Sequence, residues 1–248
     1  MSEQLEAILV IGAACAAGSF IKGATGQGLP QIAIPVMASF LGVESAVVIM
    51  AIPGVVTNSW LLWSHRDHYH RTRDLPVLLA TGIAGAVAGT FLLRALDEDI
   101  LALVLAGLIL IYVTTFFARP GLRLSEAFTR KTSPPVGLAA GVLQGATGIS
   151  GPIISTYVHS FRLDKEVYVL SITTVFQVFA IVQALTLAVI GLYTEDRLVL
   201  SFLALIPIMA ALPLGTRFTS RLSRATFDRL IIVVLLASAL KLIYDGLT

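Results

Sequence analysis

Charge is scarce in this chain, and the places it avoids are informative. Asp, Glu, Lys and Arg make up 13% of 248 residues, about half the share of a soluble domain. No apolar stretch holds a pair of aspartates, which excludes the shared-proton dyad of an intramembrane aspartyl hydrolase. One cysteine, Cys15, rules out an intrachain disulfide and a thiolate metal cluster. The opening Met-Ser-Glu-Gln-Leu-Glu lacks the basic start of a cleavable signal, so the first apolar run is expected to stay in the mature protein. No Gly-Lys-Ser/Thr loop follows a strand, so nucleotide binding is discarded, and nothing in the sequence suits a nucleic-acid partner.

What is present is apolar. Hydrophobic residues reach 56% and the mean hydropathy is +0.89. The expected fold is therefore all-α, a polytopic integral membrane protein whose partner is the lipid bilayer. Ten apolar segments can be read: 5–22, 29–41, 45–63, 75–93, 100–117, 135–147, 152–161, 167–190, 198–214 and 227–244. Six have the length to cross unaided, at roughly 17–25 residues per span: 45–63, 75–93, 100–117, 167–190, 198–214 and 227–244. Segments 29–41, 135–147 and 152–161 are shorter and read as half-helices. Segment 5–22 is long enough, yet its end runs into a glycine-rich break.

That break occurs twice, 122 positions apart: Gly23-Ala24-Thr25-Gly26 with Pro30, and Gly145-Ala146-Thr147-Gly148 with Pro152. A glutamate follows each at the same offset, Glu44 and Glu166, and Gly89-Thr90 and Gly215-Thr216 close the fourth segment of each half. The chain divides into repeats 1–121 and 122–248 of five segments each. Five is odd, so the second repeat enters the membrane inverted, whether the first pair of each half crosses fully or is re-entrant. Inverted repeats with broken helices mark secondary transporters, which bind at mid-membrane and rock one half against the other.

Loop charge sets the orientation, because cytoplasmic loops retain Lys and Arg. Loops 64–74, 118–134, 162–166 and 215–226 together hold twelve basic residues, and the alternate set holds only Arg94 and Arg197. Both termini are therefore expected on the extracytoplasmic side of a bacterial inner membrane. The cluster His65, His68 and His70 lies in one of these loops without a scaffold and reads as solvated rather than metal-binding. The expected metal and cofactor content is none.

Irregular backbone at membrane depth must face protein or a water-filled cavity. Half-helices starting near 28 and 151 would aim free N–H groups inward, and a helix N-terminus behaves like roughly +0.5 of a charge. No acidic residue lies within 22–31 or 144–152, so the expected ligand is a small anion. The candidate substrate-binding residues are Lys22, Thr25, Gly26, Gln27, Gly28, Gln31, Asn58, Gln144, Thr147, Gly148, Ser150, Gly151 and Gln177. Lys22 is the most informative of them, since a lysine at the bilayer centre costs about 2.5–3.5 kcal/mol; the alternative is that it snorkels to the surface. Asn58 and Gln177 are candidates for pathway lining, ahead of Gln183, though interhelical hydrogen bonds account for such residues equally. Gly85 to Gly89 reads as a helix-packing face.

The paired motifs, Lys22-Gly23-Ala24-Thr25-Gly26-Gln27-Gly28-Leu29-Pro30 and Gln144-Gly145-Ala146-Thr147-Gly148-Ile149-Ser150-Gly151-Pro152, together with Pro35 and Asn58, carry a resemblance. The chain resembles the TauE/SafE family of sulfite and organosulfonate permeases over essentially its whole length. Many members carry three consecutive glycines where this chain reads Gly26-Gln27-Gly28 and Gly148-Ile149-Ser150-Gly151. The resemblance implies transport of small sulfur-containing anions such as sulfite, sulfoacetate or related sulfonates. Alternating access coupled to a proton or other ion is the expected mechanism. A passive anion channel on the same scaffold is the alternative, and catalysis is not expected. A homodimer is compatible with the sequence, which does not fix the anion, the direction of transport or the oligomeric state.

Overall fold

The computed structural model describes residues 2–67, 75–118, 126–161, 163–218, 235–244 and 246–247. Among them lie ten helices and no strand. They are α1 (Ser2–Thr25), α2 (Leu29–Leu41), α3 (Val43–His65), α4 (Leu75–Ala95), α5 (Glu98–Ala118), α6 (Glu126–Thr147), α7 (Gly151–His159), α8 (Lys165–Val189), α9 (Glu195–Phe218) and α10 (Leu235–Tyr244).

Five of these are long and apolar enough to cross a bilayer: Ile8–Thr25 of α1, α3, α4, α8 and Glu195–Arg217 of α9. Four of the six segments expected to cross unaided are among them. Of the other two, α5 has 21 residues, and segment 227–244 is described only from Leu235 onward. One expectation is corrected. Segment 135–147 is not a short helix but the apolar end of the 22-residue α6, which runs through Pro134 and Pro135. Its first turns hold Glu126, Arg130 and Lys131, and a polar helical turn leaves no mark on an apolarity reading.

Helices α1 and α6 stop where the glycine motifs predict. Gly26, Gly28 and Gly148 have φ of 82°, 120° and 69°, a region closed to most L-residues at low cost. Helices α2 and α7 then restart with proline in the first turn, where the missing N–H matters least.

The most extensive interhelical contacts join α4 to α6 and α1 to α9, with α3 packed on α8. They are made backbone to backbone. A Cβ on Gly23 would strike the Leu212 carbonyl and the Thr216 amide, and one on Gly145 would strike the Ala86 carbonyl and the Thr90 amide. In return, Gly215 lies against the Phe20 carbonyl and Gly89 against the Val142 carbonyl. The partners in each pair of contacts are 122 or 126 positions apart, so the same junction recurs. Gly82, Gly85, Gly137 and Gly141 extend it along α4 and α6, as the small-residue face of 85–89 suggests.

The two arginines of the charge-poor loops meet at the α8–α9 turn. Arg94 donates to the Ile190 carbonyl. Arg197 donates to Leu192 O at 3.1 Å, Glu44 Oε1 at 2.7 Å and Ser45 Oγ at 3.2 Å. Glu44 is thus tied to α9, whereas Glu166, at the matching offset, is exposed. Trp60 and Trp63 are exposed near the far end of α3, and Arg66 stacks over the Trp63 ring at 4.3 Å, as in an interfacial belt. Arg71, Arg73, Arg119, Arg123, Arg162, Arg221 and Arg224 lie outside the described residues, as do His68 and His70.

Filling a glycine junction should separate the helices it joins. Gly141→Val places a branched side chain against the Gly82 carbonyl, and overpacking of this kind costs about 1–3 kcal/mol. A clear fall in thermal unfolding temperature in detergent is expected. Gly107→Val, at a position with open space around its Cα, should leave it near the wild-type value.

Candidate functional site

Both breaks open onto one cavity enclosing about 510 Å³, its open mouth included. Its walls come from the end of α1, the two breaks with the first turns of α2 and α7, and the middles of α3 and α8. The breaks touch each other there. The carboxamide of Gln31 lies against Gly151, in the space a Cβ at 151 would occupy, and Gln27 Oε1 lies 3.6 Å from that point. Neither α2 nor α7 has a side-chain cap on its first turn, so first-turn amides remain without an intrahelical partner at the cavity.

Lys22 reaches this cavity from the last turn of α1 and is only 2% exposed, which sets aside snorkelling. Its Nζ donates to Asn58 Oδ1. Among the described residues no Asp or Glu lines the cavity or lies within ion-pair distance of Lys22. The matching position of the second half is Gln144, which is neutral and closed into a network. Gln144 donates to Gln183 Oε1 at 3.0 Å and accepts from Ser150 Oγ at 2.8 Å. Gln183 in turn donates to Gln144 O at 2.7 Å and lies 3.2 Å from Gly145 O. Gln27 Oε1 and Gln31 Oε1 are buried and have no hydrogen-bond partner.

Of the thirteen residues singled out from sequence, nine line the cavity: Lys22, Gln27, Gly28, Gln31, Asn58, Gln144, Gly148, Ser150 and Gly151. Four do not. Thr25 Oγ1 lies 3.0 Å from Ile21 O and 2.9 Å from Gln27 O. Thr147 donates to Leu143 O at 2.7 Å and accepts from Ile149 N at 3.3 Å. Both threonines therefore tie the end of one helix to its own break. Gly26 is covered by Val169 and Ile172. Gln177 donates to Ser59 Oγ at 3.0 Å and joins α8 to α3 outside the cavity wall.

The structure adds Gln183, Met50, Gly54, Phe176 and Ala180 to the wall. Gln183 had a visible signal, a carboxamide in an apolar segment. The apolar ones had none, because lining and packing residues look alike in sequence. His159 is exposed at the end of α7, with its ring edge-on to Tyr168 at 6.0 Å. Among the described residues no group of three His, Cys, Asp or Glu is placed to hold a metal.

Asn58→Leu removes the hydrogen-bond partner of a buried ammonium, and an unmet buried donor costs about 1–3 kcal/mol, more when charged. A lowered unfolding temperature is expected, with Lys22→Met on the same background restoring most of it. Independent, additive effects of the two changes would count against the pairing.

Among curated proteins and among solved structures, none matches the chain. The family model described as Sulfite exporter TauE/SafE matches residues 10–242, nearly the whole length. With its apolar spanning helices, the chain is a multi-pass membrane transporter and belongs to the TauE/SafE sulfite exporter family.

Proposed function

We propose that this protein is a secondary active transporter of small sulfur-containing anions, sulfite, sulfoacetate or related organosulfonates, bound between the two glycine-rich breaks. The observation that carries this reading is Lys22, buried in a cavity shared by both breaks and unmatched by any carboxylate among the described residues. A buried cation without an anionic partner costs several kcal/mol, and a bound anion removes that cost. First-turn amides of α2 and α7 are the neutral donors for its oxygens.

Halves 1–121 and 122–248 are read as inverted repeats, each with a broken helix at its glycine motif. The recurrence of the α1–α9 junction in α4–α6, at spacings of 122 and 126 residues, supports the duplication. In this reading the halves rock about the α3–α8 contact, so that the cavity opens to one side at a time. The distribution of Lys and Arg supports basic loops in the cytoplasm and both termini on the opposite side, and the membrane of this reading is a bacterial inner membrane. A proton or other ion gradient supplies the energy, since no nucleotide-binding element lies in the sequence.

The test is flux in liposomes. Labelled sulfite or sulfonate uptake should saturate and should be stimulated by unlabelled anion on the far side. Flux that rises without limit and shows no counter-exchange would make the protein a channel instead. Lys22→Gln should lower uptake by at least tenfold; transport indifferent to Lys22→Gln and Gln144→Ala together would remove the cavity from the pathway.

A further inference from the structure

The cavity is polar at one end of α3 and apolar along the rest of it. Asn58 holds the Lys22 ammonium. Moving back along the helix, Gly54, Met50 with Ala51, and Val47 present successive turns to the same cavity. At 1.5 Å per residue that run is about 12 Å from Asn58 to Met50. On the facing helix α8, Phe176 and Ala180 line the same space, and Ala180 is the nearest neighbour to the site of a Cβ on Gly54, at 3.9 Å. An anion made only of oxygens around one sulfur would leave this apolar wall unused.

We propose, as a refinement resting on the transport reading above, that the cavity selects a monoanionic sulfonate with a short, uncharged, apolar tail. The head group sits at Lys22 and Asn58, and the tail lies along Met50, Ala51, Phe176 and Ala180. Charge sets the other limit. One lysine matches one negative charge, and no second cationic residue is among the described lining residues, so a second anionic group has no charged partner. An ammonium on the tail meets no carboxylate among the described lining residues and shares the cavity with Lys22.

Isothermal titration of the purified full chain with methane-, ethane- and propanesulfonate should show affinity rising about fourfold per methylene, the transfer value of one buried CH₂. Sulfoacetate and 2-aminoethanesulfonate should bind at least tenfold more weakly than propanesulfonate. Gly54→Val enters space where a Cβ makes only ordinary contact and shortens the tail path, so the propane-to-methanesulfonate ratio should fall towards one. An unfolding scan of the variant shows whether it is folded. A flat series in the wild type, or equal binding of the charged-tail compounds, overturns the tail selection while leaving sulfur-anion transport standing. Failure of every sulfur anion to bind overturns both.

Discussion

Contact of helix backbones through glycine is the constraint on which the rest of this structure depends. The end of α1 is fixed on α9 by Gly23 and Gly215, and the end of α6 is fixed on α4 by Gly145 and Gly89. Each junction lies within three residues of a break, so the place where the chain leaves helical geometry is held by close backbone packing. In a bilayer that packing substitutes for the hydrophobic force between helices, because lipid tails are as apolar as leucine. Without it, first-turn amides of α2 and α7 would have no fixed place inside protein, and lipid cannot satisfy them.

Once the breaks are fixed, the electrostatics follow. Two amino-terminal helix ends meet near one lysine, and all three favour negative charge. Lys22 is held by a neutral carboxamide rather than a carboxylate, so its charge is positioned without being cancelled. An aspartate at 58 would pair with it and close the cavity to anions. The second break is organised in the opposite manner, with Gln144, Gln183 and Ser150 satisfying one another. One side of the cavity therefore offers unspent charge and the other a rigid neutral surface.

The breaks were legible in sequence because glycine and proline act locally: φ above zero at Gly26, Gly28 and Gly148, and Pro30 and Pro152 in first turns, need no tertiary information. The start of α6 was not, since apolarity reports membrane depth and not helix length. Thr25 and Thr147 were misplaced for a related reason. A threonine at a helix end bonds the carbonyl four residues back, and sequence alone does not separate that hydroxyl from one turned to a ligand. Gln177 and Gln183 are six residues apart on α8, yet only Gln183 faces the breaks. That choice depends on how α8 is rotated against α3, which the glycine junctions and the packing of Gly54 near Ala180 settle only in three dimensions.

The asymmetry between Lys22 and Gln144 has a physical reason in the size of the shared cavity. Two ammonium groups in one cavity repel, by about 4 kcal/mol at 4 Å for an effective dielectric of 20 and by less in proportion to distance. A single monoanion neutralises one of them and leaves the other without a partner. A scaffold with lysine at both positions would suit a dianion, or would be destabilised whenever empty. Replacing one lysine by a glutamine that bonds to Gln183 and Ser150 keeps the backbone device in both halves and confines the positive charge to one. The backbone is used twice and the charge once, which matches the single negative charge of the sulfonate head proposed above.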